Sequence, residues 1–110
     1  MTQDVIRALE EARRLCAVGW TQRVGARDKN SNTVSTKSPD AVYFCLWGSI
    51  YRAENSHTGQ RAYGAIVESI GGINPDPVEW NDAPDRTQAD VLALFDRTIA
   101  KLRGISPATQ

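Results

Sequence analysis

Ser38-Pro39-Asp40-Ala41-Val42-Tyr43-Phe44-Cys45-Leu46-Trp47-Gly48-Ser49-Ile50-Tyr51-Arg52-Ala53-Glu54 is the stretch on which the fold turns. Its opening reads as a helix start, because Ser can cap, Pro is tolerated at the first helical position, and Asp suits the positive end of the helix dipole. From Ala41 to Trp47 the run is apolar without interruption, and Ile50, Tyr51 and Ala53 continue it. A helix apolar on nearly every side is buried on nearly every side, so residues 39–54 are expected to form a buried central helix. Gly48 costs about 1 kcal/mol against Ala in a helix interior. Close approach of another backbone is the compensation expected there.

Outward from this segment, three further helices are legible. Val5, Leu9, Ala12 and Cys16 share one face of a helix over 3–18, widened by Ile6 and Leu15, with Thr2 as a cap and Gly19 as a stop. Ala62, Tyr63, Ile66, Val67 and Ile70 repeat at helical spacing over 59–70, after a break at Asn55-Ser56-His57-Thr58-Gly59. Val91, Leu94, Phe95 and Leu102 stripe a last helix that opens on Thr87-x-x-Asp90, a capping-box pattern. Gly104, Ile105 and Pro107 then fit a Schellman-type stop.

Between the first helix and Lys37 the helical period vanishes. Thr21–Arg27 and Asn32–Thr36 flank the turn-forming run Asp28-Lys29-Asn30-Ser31-Asn32, which predicts a small β-hairpin over about 21–36. Residues 73–86 hold Pro75, Pro77 and Pro84 and are expected to form a long loop without regular structure. Ile73, Val78 and Trp80 should pin that loop to the core, with Trp80 as its anchor. The fold class expected is therefore mainly α, with about four helices packed around the central one.

The chain has 110 residues, 41% of them hydrophobic, and thirteen basic residues balance thirteen acidic ones. That length suits a single domain, 1–110, and excludes a two-domain enzyme or a large α/β barrel; the neutrality excludes a general polyelectrolyte role. No run approaches the ~20 apolar residues of a membrane span, and Met1-Thr2-Gln3-Asp4 does not open a secretion signal. A soluble, cytoplasmic protein with no membrane partner is expected. Cys16 and Cys45 then read as reduced core residues.

Three groups of residues carry the resemblance of this chain to known sequences. They are Trp20-Thr21-Gln22, Phe44-Cys45-Leu46-Trp47-Gly48-Ser49, and Trp80-Asn81-Asp82-Ala83-Pro84 followed by Arg86-Thr87, Asp90-Val91 and Leu94-Phe95-Asp96. In this order they resemble a family of small bacterial and phage proteins of unknown function. Ser49 and Thr98 stand where relatives often have Ala. The resemblance implies a shared fold over most of residues 5–100 and supplies no catalytic residues.

Reactive side chains offer three chemical readings. Cys45, His57 and Asn81 or Asp82 are the residue types of a Cys-His-Asn/Asp hydrolase, in which a base activates the thiolate and an acceptor orients the base. Against it, a mid-helix Cys45 in an apolar run should be hidden and hard to ionise. Arg23, Arg27, Lys29 and Lys37 outnumber Asp28 over 20–38, a net +3 beside Trp20 that would serve a nucleic-acid-binding hairpin. Asp76, Glu79, Asp82 and Asp85 outnumber Arg86 over 72–86, a net −3, and with Asn81 they could ligate a metal, but their spacing fits no EF-hand or zinc pattern. The reading preferred from sequence is a non-catalytic protein without metal or cofactor. It would act through protein contacts, as a homodimer or as a phage or prophage accessory factor; the Cys-His enzyme and the nucleic-acid module are the alternatives.

Overall fold

The structure is a computed structural model that describes residues 2–54, 56–73 and 75–104. The 3.6-residue stripe of the N-terminal segment folds as α1, Thr2–Val18, with Val5, Ile6, Leu9, Ala12 and Cys16 buried along one face. Thr2 is the first residue of the helix instead of a cap flanking it. α1 packs against three other helices: α2 (Leu46–Ala53), α3 (His57–Ile70) and α5 (Gln88–Leu102). The shared core joins Leu9 and Ala12 to Leu46 and Ile50, Ala62 and Ile66, and Val91, Leu94, Phe95 and Ile99. The bundle is thus built around α1, not around residues 39–54.

The central helix expected over 39–54 shrinks to Leu46–Ala53. Ser38 does not cap it. Its Oγ accepts from the Asp40 N–H in a local turn, and Ala41 N–H donates to the Ser38 carbonyl. Tyr43–Phe44 is a strand, β2, paired antiparallel with β1, Ala26–Arg27, in the register Ala26 to Phe44 and Arg27 to Tyr43. On its other side Phe44 N–H donates to the Gly19 carbonyl at 3.0 Å, and Thr21 N–H donates to the Phe44 carbonyl at 3.1 Å. A short apolar run satisfies a strand as well as a helix, and here backbone partners on both sides decide for the strand.

The small antiparallel pair is therefore present, with a different second strand. Thr33 and Val34 touch the outer side of Ala26–Arg27 through one isolated bridge and the Val34 N–H bond to the Ala26 carbonyl. The inner partner comes from residues 43–44. Gly48 confirms the close approach: a Cβ there would stand 2.0 Å from the Gly25 carbonyl oxygen. α2 is also less buried than its apolar sequence implied, with Trp47 at 38% and Tyr51 at 42% exposure. Leu46, Ser49 and Ile50 face the core, and Trp47 and Tyr51, one turn apart, face out.

The proline-rich stretch holds a helix of its own, α4, Pro77–Asp82, giving five helices among the described residues. Pro77 sits where a helix tolerates proline, and the Asp76 carboxylate caps the Val78 and Glu79 N–H groups at 2.9 and 3.4 Å. The pins differ from those expected. Ile73 is 94% exposed and Val78 faces out, whereas Pro77 and Asn81 are buried. Trp80 is half-buried against the core, with the Arg86 guanidinium 3.8 Å from its ring centre. At α5 the capping box is complete, with Thr87 and Asp90 each bonding the other's N–H. Gly104 adopts a left-handed φ of 77°, as the stop requires, while Ile105 and Pro107 lie outside the described residues.

Candidate functional site

Two of the three tryptophan-bearing motifs meet at one side chain. Asn81, 1% exposed, accepts through Oδ1 from the Trp20 indole N–H at 2.8 Å and from the Leu46 N–H at 3.0 Å. Its Nδ2 donates to the Thr21 carbonyl at 3.2 Å and to Asp82 at 3.0 Å. Gln22 reaches back, donating from Nε2 to the carbonyls of Asn81 and Ala83, both at 2.9 Å. Asp82 also accepts from the Arg23 N–H at 2.8 Å. Trp20-Thr21-Gln22 and Trp80-Asn81-Asp82-Ala83 are therefore two halves of one buried clasp. It satisfies the start of α2, the end of α4 and the turn after α1. A buried amide with its bonds filled on both ends leaves nothing for a substrate.

The structure assigns Cys45 a different place from the middle of a helix: it is the N-cap of α2, with Sγ accepting from the Gly48 N–H at 3.1 Å. A helix N-terminus favours thiolates, but burial pushes the Cys45 thiol up and outweighs the N–H groups aimed at it. Cys16 lies on the buried face of α1, and burial pushes its thiol up to about 12 from an ordinary 9.0. Both thiols are free. A proton held this way stabilises the fold below the ordinary thiol pKa, and the contribution is lost as pH climbs from about 9 toward 12.

His57 is not brought to Cys45. It opens α3 on the surface, beyond the far end of α2, and the eight residues of α2 separate its two ends by about 12 Å. Asp82 does share an open hollow with Cys45, together with Arg23, Val24, Gly25, Trp47 and Val78, of about 300 Å³. With the histidine remote, this hollow contains a carboxylate beside a protonated thiol and no base positioned to ionise it.

The four basic residues are held in different ways. Arg27 is built into its loop, donating to Thr21 Oγ1 at 2.8 Å and to the carbonyls of Ser31 and Gln22. Lys37 donates to the Arg52 carbonyl at 3.1 Å and stands over the Tyr51 ring. The Arg23 and Lys29 side chains are exposed. Asp28 folds the loop between them, accepting from the N–H groups of Asn30 and Asn32, which holds its carboxyl below the usual range. Among the acids, Asp76 caps α4 and Asp82 sits in the clasp. No cluster of three or more His, Cys, Asp or Glu side chains placed for a metal occurs among the described residues.

Two exposed aromatic side chains adjoin on α2. Trp47 and Tyr51 stack with ring centres 5.2 Å apart and planes 11° from parallel. Beside them, α2 and α3 enclose a hollow of about 270 Å³, walled by Trp47, Ile50, Tyr51 and Glu54 from α2 and its cap, and by Gly59, Gln60 and Tyr63 from α3. Gly59 sets its floor, since a Cβ there would meet the Glu54 carbonyl oxygen at 1.9 Å. Burial and the nearby Asp76 raise the Tyr63 hydroxyl above its ordinary pKa. The uninterrupted apolar run hides this face in the sequence, where its one signal is the i, i+4 spacing of Trp47 and Tyr51.

The whole of this arrangement, clasp and aromatic face together, lies inside one family match, over residues 1–101. The chain belongs to DUF6197, a family of unknown function. No curated protein and no solved structure matches it. In this DUF6197 chain Ser49 and Thr98 are both buried, and each hydroxyl donates to a carbonyl of its own helix, to Leu46 and Leu94, at 2.8 Å. Their polarity is satisfied locally, so a position suited to Ala accepts them without a new partner. Among the described residues no helix is long and apolar enough to cross a membrane.

Proposed function

We propose that this protein acts without catalysis, by binding another protein through the face that carries Trp47 and Tyr51. The observation that carries the reading is the exposed stack itself. A large aromatic pair left on the surface of a small domain marks a contact face, because tryptophan and tyrosine supply much of the energy at protein interfaces. The distribution of the reactive groups supports the same reading. The thiols are buried, the single histidine lies beyond the opposite end of α2 from Cys45, and the polar residues of the Trp20 and Trp80 motifs are occupied with one another. Two free thiols also favour a reducing, cytoplasmic setting over a secreted one. A phage or prophage accessory role would fit a small protein of this kind.

Affinity capture from the native host tests the reading, comparing the natural chain with the Trp47→Ala/Tyr51→Ala double variant. A protein retained by the natural chain and lost by a folded double variant is the expected result. Equal retention by both would move the contact surface elsewhere. Self-association abolished by the same variant would make the partner a second copy of this chain.

A further inference from the structure

We propose that the hollow between α2 and α3 receives the cationic head of a lysine or arginine side chain from the partner protein. The inference rests on the protein-binding reading and adds the chemistry of what is bound. Three aromatic rings, Trp47, Tyr51 and Tyr63, line the hollow, and Glu54 is the one charged residue of its described lining. Aromatic faces carry negative potential and attract ammonium and guanidinium groups, and a carboxylate at the rim adds a direct charge partner. Glu54 makes no ion pair among the described residues, unlike Asp4, Glu10, Glu11 and Asp96, which are all paired with arginines.

The molecule already contains an example of the interaction. Lys37 places its ammonium 5.7 Å from the centre of the Tyr51 ring, the ring that stacks on Trp47. Size decides between a side chain and a larger ligand. At about 270 Å³ the hollow is below the usual range for a drug-sized molecule or cofactor, and suits one extended side chain. Its walls also have the rigidity such a site needs. Trp47 and Tyr51 project from successive turns of α2, Glu54 caps its end, and Gly59 locks the start of α3 against the Glu54 backbone.

The test is a titration of the full-length chain with N-acetyl-lysine methylamide, followed by NMR shifts of the Trp47 indole N–H and the Gly59 and Gln60 amides. The same titration with N-acetyl-norleucine methylamide, which keeps the apolar stem and lacks the ammonium, is its control. The expected result is saturable shifts in the millimolar range with the lysine probe, confined to this hollow, and at least threefold weaker binding of norleucine. Glu54→Gln and Tyr51→Leu should each weaken the lysine probe about three- to tenfold while leaving the spectrum of the fold unchanged. Equal binding of both probes, shifts centred elsewhere, or no shift would overturn the inference. If Trp47→Ala/Tyr51→Ala still lost its captured protein after such a result, the protein-binding reading would stand and only the cation would be wrong. If capture were unaffected while lysine bound in the hollow, the failure would belong to the broader reading.

Discussion

Two tryptophan-centred regions of this molecule have similar compositions and opposite environments. At the clasp, Trp20 donates its indole N–H to a buried Asn81, and Trp80 is half-covered by Arg86 and the core. At the α2 face, Trp47 stacks on Tyr51 and more than a third of it remains in water. The clasp holds one segment beside another that is some sixty residues distant in the chain, since Trp20 and Asn81 are 61 positions apart. The aromatic stack itself joins two residues of one short helix, four positions apart. Residue type alone therefore does not separate structural from functional tryptophans. Hydrogen-bond satisfaction and exposure do.

The contrast can be broken most forcefully at Asn81. Asn81→Ala leaves the Trp20 indole, the Leu46 N–H and the Thr21 carbonyl without partners in a buried site. Unfolding stability should fall by about 3 kcal/mol or more, read by urea denaturation. Trp80→Ala comes next, at about 2 kcal/mol, because the ring is only half-buried and its loss also strips the platform from Arg86. Thr87→Ala should cost about 1 kcal/mol through loss of the α5 capping box, with Tm falling accordingly. Trp47→Ala should cost less than Asn81→Ala, since more than a third of the residue is already solvated and no buried polar group loses its partner. A cost as large as that at Asn81 would place Trp47 in the structural class instead.

Much of this fold was legible because local signals and packing agree. α1, α3 and α5 bury the stripes their periodicity marked, Thr87 and Asp90 form the box their spacing specified, and Gly48 meets a neighbouring backbone. The misreadings cluster where non-local partners decide. Residues 41–45 look like the first turns of a buried helix, and only their bonds to Gly19, Gly25 and Arg27 make them extended. The true N-cap of α2 is a cysteine, a residue type that carries no start signal, while Ser38-Pro39-Asp40 carries a strong one and forms only a turn. A helix over 39–54 buried on every side places Trp47 and Tyr51 inside a core element and leaves no exposed face. Asn81 is legible as a candidate orienting group or metal ligand but not as the centre of the clasp, because three of its four partners, Trp20, Thr21 and Leu46, lie in distant parts of the chain.

The central claim is that Trp20 and Asn81 are coupled as the keystone of the clasp. A double-mutant cycle in urea, built from Trp20→Phe, Asn81→Ala and the pair together, tests it most directly. A coupling energy of about 1 kcal/mol or more is the expected result, because the indole N–H and the amide oxygen each lose a buried partner when the other is removed. Strictly additive losses, with coupling indistinguishable from zero, would contradict it.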